Sequence, residues 1–485
     1  MSTIKSTYIN NEWILGRGAP MESVNPATQE RIGRFAGSSV DQVSHAVQAA
    51  RMAFESESWR SCGPTERSKI LLNIAEALEQ HGEELAQLVT SEVGTPISLS
   101  RGMQVANPIE VLRWYAEVAL RGPYGSYETE LPAYSNPVPS SSILVKEPAG
   151  VVAAMTAYNY PINLLAWKLG GALASGCTAV LLPSPRGALT SIRVMEIISQ
   201  LDLPVGVVNM IVGGPDVGIA LSSNKDVDLI TFTGSDTVGG KVMSQAAENI
   251  TETVLELGGK AANIVLPGVD LATAVPASVL RFCRNAGQGC GAWTRILVKR
   301  EEMSSFVDAA VEYLASLEVG DPSDPDITIG PLISADHLQF VRRSVAEAVE
   351  RGAKIAFGAD DLGIDMPGNF MSPVLLTDVR VDDPICDLEL FAPVAVVLPY
   401  DSVEEAIRIA NTSAYGLNAN ITGRQEDAMV LARKLRVGTV TINNGSGMRP
   451  DAPWGGLGRS GTGRELGDSG FDQFFQVKHI QWPNS

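Results

Sequence analysis

The stretch "ILVKEPAGVVAAMTAYNYPINLLAWKLGGALASGCTAVLLP", residues 143–183, reads as strand, helix and strand in turn. Its first run (143–155) and its last, "TAVLLP" (178–183), are short and rich in β-branched residues. Between them, residues 162–175 form a long apolar segment opened by Pro161, a helix start. Two strands joined by a helix make a right-handed crossover between parallel neighbours. The alternation continues outward through a helix at 190–201, strands "VVNMIVG" (207–213) and "LITFTG" (229–234), and a helix at 236–249. This predicts an α/β fold with a doubly wound, Rossmann-like parallel sheet.

A second alternating region follows, with "RILVKR" (295–300), helices at 303–317 and 335–352, "LFAPVAVVLPY" (390–400), a helix at 403–411 and "GTVTINN" (438–444). It predicts a second α/β domain. Upstream, Leu71, Ile74, Ala75, Leu78, Leu85, Leu88 and Val89 recur at helical spacing, so residues 64–93 read as one amphipathic helix closed by Gly94 and Pro96. The stretch "PYGSYETELPAYSNPVPSSS" (123–142) has four prolines and no helical period, and alone it reads as a loop or an edge ribbon.

The 485 residues, 45% hydrophobic, suffice for about three domains. A formal charge of -18 disfavours nucleic acid and anionic membranes as partners. The polar N-terminus has no apolar h-region and no apolar run is long enough to span a bilayer, so a soluble, cytoplasmic protein is expected. Five scattered cysteines without a C-x-x-C pair and four dispersed histidines predict neither a disulfide framework nor a metal site.

Several positions carry chemistry. Gly234 and Ser235 stand where a strand ends and a helix begins, a place for a phosphate or simply for a tight turn. "VGGPDVG" (212–218) places a second glycine cluster at a neighbouring strand end. Two such turns on one sheet edge favour a nucleotide. Glu256 in "LELGGK" sits in an apolar strand, on a solvated edge or desolvated in a cleft with the raised pKa of a general base. Cys290, between Gly289 and Gly291 in "NAGQGCGAW", is a buried small hydrophobe or a reactive thiol given space by its glycines. Asn159 in "AYNYP" can donate to an oxyanion or cap the helix that Pro161 opens.

Taken together and in this order, "AYNYP", "FTGS", "LELGGK", "GQGC", "LELFAPV" and "PWGGLGRSGTGRELG" resemble the NAD(P)-dependent aldehyde dehydrogenase superfamily across nearly the whole chain. The resemblance implies that Cys290 is the nucleophile, Glu256 the base, Asn159 an oxyanion donor, and Lys168 with Glu465 a proton relay. For the cofactor it implies Gly234 and Ser235 at the pyrophosphate, Glu389 at the nicotinamide-side ribose and Phe391 against the nicotinamide. Thr156, Tyr158, Ser184, Gly214, Pro215, Phe232, Leu257 and Gly258 complete the implied cofactor cleft. It divides the chain into a cofactor-binding domain (1–122 and 143–257), a catalytic domain (258–455) and a small β oligomerisation element (123–142 and 470–485) of a homodimer or homotetramer. The presence of Glu256 implies water as the acyl acceptor, since members that transfer the acyl group to coenzyme A lack this base. A non-catalytic member would have lost one of Cys290, Glu256 and Asn159, and all three stand.

One departure bears on the cofactor. "TAVLLPSPRG" stands where the family usually has Lys-Pro-Ser-Glu, so Leu182 and Pro185 replace the charged residues that hold the adenine-side ribose. NAD is favoured, with NADP admitted because nothing at 185 repels a 2′-phosphate and Arg186 can attract one. The aldehyde tunnel implied by the resemblance comprises Tyr160, Asn163, Leu164, Trp167, Met448 and Trp454. Aromatic walls suit a bulky apolar or aryl aldehyde. Trp167 stands where succinate-semialdehyde-type members have arginine, so no distal carboxylate is expected. Tyr160, Trp167 and Trp454 resemble the aromatic box of betaine aldehyde dehydrogenases, the alternative reading, but Arg284 would repel a cation there.

Overall fold

The computed structural model describes residues 4–358, 364, 366–445 and 448–484. At its centre the strand Val151–Thr156 is buried at every residue, as the middle strand of a parallel sheet must be. Its alternation still divides two cores: Val152 and Ala154 face one, Val151, Ala153 and Met155 the other. Strands Thr178–Pro183 and Val208–Met210 lie in parallel on one side of it, Leu229–Thr233 and Glu252–Glu256 on the other. The chain therefore reverses its direction of winding between Val151–Thr156 and Leu229–Thr233, and a cleft opens beyond their carboxyl ends. Antiparallel Thr7–Ile9, Glu12–Ile14 and Gly461–Thr462 complete the eight strands.

A seven-stranded sheet forms the second α/β unit, parallel apart from Lys354–Phe357. Its central strands Ala262–Val265 and Arg295–Lys299 bracket the helix Leu271–Cys283 and the loop that carries Cys290. Helices Pro161–Ser175, Asn107–Arg121 and Pro64–Gln80 pack together on one face of the first sheet.

Three expectations are corrected. Residues 143–155 are two strands: Pro139–Pro148 leaves in an antiparallel ribbon with Glu128–Ser135 and Phe475–Pro483, and only Val151–Thr156 enters the parallel sheet. Of the two readings of residues 123–142, loop or edge ribbon, the ribbon is the one that forms, over 128–135 and from 139 on. Residues 64–93 are two helices, Pro64–Gln80 and Gly82–Val93, because His81 leaves helical geometry at φ −101°, ψ 13°. The other predicted helices form; that at 162–175 ends at Ser175 as predicted, and the rest are shortened at their C-terminal ends by one to three residues where turns take over. No helix among the described residues is long and apolar enough to cross a membrane, and no group of metal-ligating side chains gathers among them.

Candidate active site

A cavity of about 830 Å³ runs along the carboxyl ends of the first sheet and into the gap between the two sheets. Of the residues singled out in the sequence, all but Lys168 and Glu465 line it. One end is walled by Ser184, Gly214, Pro215, Phe232, Gly234 and Ser235. Ser235 caps the helix Asp236–Ala247 by accepting from Val238 N (3.4 Å), and Pro215 opens the helix Pro215–Ser222. Two helix amino ends thus face one stretch of cavity. Farther in stand Thr156, Tyr158, Leu257, Gly258, Glu389 and Phe391, with the rings of Tyr158 and Phe391 meeting edge to face at 6.1 Å. The inner end holds Cys290, Glu256 and Asn159 beside Tyr160, Asn163, Leu164, Trp167, Met448 and Trp454.

The loop bearing Cys290 is held by a buried polar network. Asn285 and Ala286 adopt left-handed angles (φ 53° and 52°) that cost non-glycine residues about 1–3 kcal/mol each. Asn285 Oδ1 accepts from Thr95 Oγ1 at 2.7 Å while its Nδ2 donates to Asn159 O at 3.2 Å. Gln288 Oε1 accepts from Tyr158 Oη (3.1 Å) and Ile333 N (3.0 Å). Asn159 Nδ2 donates to Gln288 O at 3.0 Å, which leaves its second proton free. The backbone N–H of Cys290 finds no backbone acceptor among the described residues.

The glycines divide the work differently from the sequence reading. Gly287 alone of the three takes a left-handed angle (φ 71°), and a Cβ there would lie 2.1 Å from Ala392 C. Gly289 has an ordinary angle, and a Cβ on it would stand 3.6 Å from Tyr160 Oη, so its contribution is free space beside the sulfur.

Glu256, at the end of Glu252–Glu256, is 3% exposed and neither carboxylate oxygen has a partner among the described residues. The solvated-edge alternative is therefore excluded. Burial first, then repulsion from Glu465, holds its carboxyl well above the usual range, while Lys168 and Arg464 oppose the shift. Lys168 and Glu465 lie behind it as a buried pair, Nζ to Oε1 2.5 Å, bridged by Thr231 Oγ1. The Cys290 thiol is pushed up to about 12 by burial, then by Glu389 and Glu256, with Arg281 pulling the other way.

Glu389 Oε1 accepts from Gly259 N at 2.8 Å, and burial pushes its carboxyl up to about 7. A raised acid binds its proton more tightly in the folded chain, so its contribution to stability is present below pH 4.5 and lost as pH rises through about 7. Glu389→Gln is expected to abolish a loss of about 3 kcal/mol between those values. Urea melts of both proteins at about pH 4.5 and about pH 8 measure it, and equal slopes in the two would contradict the burial of this charge.

Among the lining residues that escaped the sequence reading as site members are Met103, on a π-helical turn spanning Ser100–Ala106, and Thr233, Arg281, Ala292 and His337. The polar run "RNAGQG" ahead of Cys290 was the signal for Asn285 and Gln288, since amides packed beside a nucleophile have to be bonded to something.

The aldehyde dehydrogenase family model matches residues 13–480. The betaine aldehyde dehydrogenase of Bacillus subtilis is 36% identical over 483 residues, covering 98% of this chain and 97% of that protein. A 3-succinoylsemialdehyde-pyridine dehydrogenase from a Pseudomonas species is 34% identical over 488 residues, 99% of each chain. The NAD+ complex of an aldehyde dehydrogenase from Bacillus cereus superposes with a TM-score of 0.95 at 34% identity, covering 100% of this chain and 97% of that one. With a fold and a sequence shared over nearly the whole length, the chain belongs to the aldehyde dehydrogenase family.

Proposed function

We propose that the protein oxidises a bulky apolar or aromatic aldehyde to its carboxylic acid with NAD or NADP, through a covalent acyl adduct on Cys290. The observation that carries this reading is the meeting of Cys290, Glu256 and Asn159 at the inner end of one cavity whose outer end is built from helix amino ends. A dinucleotide suits that cavity, because Thr156 Oγ1 and Thr233 Oγ1 are buried hydroxyls without partners among the described residues and two helix amino ends line its outer part. Glu389 and Phe391 would hold its nicotinamide half, and Gly234 and Ser235 its pyrophosphate. When bound, the nicotinamide supplies a hydride acceptor.

Cys290 Sγ, once deprotonated, bonds to the aldehyde carbon, and the oxygen takes the negative charge as a thiohemiacetal. The free proton of Asn159 Nδ2 and the Cys290 N–H stabilise that oxygen, each donor on the scale of roughly 10²–10³ in rate. Loss of hydride leaves a thioester on Cys290. Glu256 then takes a proton from water as the water oxygen bonds to the acyl carbon, and the C–S bond breaks to return the thiolate. Lys168 and Glu465 would carry that proton away from Glu256. We place cofactor binding in the first α/β unit, the nucleophile in the second, and pairing of chains at the three-stranded ribbon.

Arg186 lines the outer cavity without an ion pair among the described residues, and Leu182 and Pro185 line it beside Arg186. The absence of a carboxylate at 185 supports use of both nucleotides, with NAD preferred by less than about 3 kcal/mol in kcat/KM. A panel of aldehydes run with each nucleotide tests the whole reading. Aryl aldehydes should exceed acetaldehyde at least about tenfold in kcat/KM, since each buried methylene contributes about 0.8 kcal/mol. A preference for acetaldehyde, or strict use of one nucleotide, would contradict it.

A further inference from the structure

Arg295 and Arg281 are both enclosed by the second α/β unit, and their surroundings differ. Arg295 is 3% exposed, and its guanidinium donates to Lys260 O, Ile409 O and Ala410 O at 2.9–3.1 Å. That is a structural arginine with its donors satisfied. Arg281, in the last turn of the helix Leu271–Cys283, makes one long bond among the described residues, Nε to Gly291 O at 3.4 Å. Its guanidinium carbon lies 5.2 Å from the centre of the Trp293 ring, within cation–π reach.

Arg281 lines the cavity next to Cys290 and Tyr160, and Arg284 lines it from the following turn. The charged or titratable groups that face Arg281 are Arg284, Tyr160 and Cys290, with no carboxylate among them. Neither arginine forms an ion pair among the described residues, in a chain whose net charge is -18 and where acidic partners are plentiful. A partly buried guanidinium with five donors, one long bond and a place in the cavity wall has donors to offer a bound anion. A helix C-terminus accounts for a cation at this position, worth about 0.3–1 kcal/mol, but not for a cation turned into the substrate cavity.

We infer that the substrate is an aldehyde carrying a carboxylate, which Arg281 and Arg284 bind while the aromatic walls hold its body and Cys290 attacks its carbonyl. The inference rests on the aldehyde-oxidising reading above. It reverses the expectation drawn from Trp167: the arginine missing at that position is replaced by two from another helix end. It also disfavours quaternary ammonium aldehydes, which the aromatic residues alone would admit. The planar fork of Arg281 matches a carboxylate edge-on.

The test is a comparison of 4-carboxybenzaldehyde, benzaldehyde and 4-(trimethylammonio)benzaldehyde with NAD and with NADP. The carboxylated aldehyde should exceed benzaldehyde at least about tenfold in kcat/KM, chiefly through KM, and the cationic one should be slowest. Arg281→Gln and Arg284→Gln should each lower the carboxylated-to-neutral ratio, the double variant by at least about tenfold. Calorimetric titration of terephthalate, the dicarboxylate product, should show the same loss and does not depend on turnover, so a variant with damaged chemistry still reports. If Arg281→Gln does not fold, Arg284→Gln and the wild-type series decide. Benzaldehyde oxidised as fast as 4-carboxybenzaldehyde would overturn the anion site while leaving aldehyde oxidation standing. No turnover of any aldehyde with either nucleotide would overturn both. A faster reaction with 4-formylphenyl phosphate would overturn the carboxylate in favour of a phosphate.

Discussion

Glu256→Gln is expected to give one rapid equivalent of reduced nicotinamide per active chain and then almost none. Hydride loss from the thiohemiacetal needs the bond to Cys290 but no activated water, so the first turnover reaches the thioester. Hydrolysis then waits for a base. Gln keeps the shape and the hydrogen-bonding reach of Glu256 but takes no proton, and losing a general base costs about 10²–10⁴ in rate. The burial that raises the Glu256 carboxyl strengthens the residue as a proton acceptor. A further consequence concerns the thiol. Burial and two nearby carboxyl groups hold Cys290 protonated at neutral pH, so the thiol must lose its proton before it attacks. If Glu256 takes that proton as well, the burst in Glu256→Gln slows as well as the steady state, and stopped-flow absorbance at several pH values separates the two duties.

Cys290→Ala is expected to reduce no nicotinamide with any aldehyde, a loss on the order of 10⁶-fold, the scale on which removing a nucleophile acts. No other cysteine is placed to substitute. Cys177, Cys283 and Cys386 are buried in the cores and Cys62 is half-buried; among the described residues, Cys290 alone lines the cavity. The variant should still bind nucleotide, because the outer end of the cavity is built by other strands. Residual oxidation above about one part in 10³ would point to a hydride transfer that needs no covalent adduct.

The parallel core was legible because burial writes itself into composition: Val151–Thr156 and Thr178–Pro183 are enclosed on both faces, and apart from one terminal threonine each their residues are apolar. The ribbon stood only as one of two readings, loop or edge ribbon, for the opposite reason. Glu128–Ser135 is exposed at all of its residues, so no alternation marks it, and its order comes from backbone pairing to Pro139–Pro148. The break at His81 was hidden because Leu78 and Leu85 stay in phase across it, both buried on the same side. At the site, Cys290 and Glu256 stood out as reactive types in unusual company. Arg281 did not, since its meaning lies in partners it lacks, and a sequence does not show which charges go unpaired. Asn285 and Gln288 were hidden likewise: a buried amide and a surface amide look the same until the chain is folded.

The most direct test is the fate of the acyl group. Glu256→Gln is mixed with excess 4-carboxybenzaldehyde, benzaldehyde or another oxidised aldehyde and NAD, quenched in acid once the burst ends, and weighed intact before peptide mapping. The mechanism requires one acyl group per active chain, a matching equivalent of reduced cofactor, and the added mass on the peptide that contains Cys290. An unmodified chain with steady-state turnover equal to that of the wild type, or the acyl group on any residue other than Cys290, would contradict it.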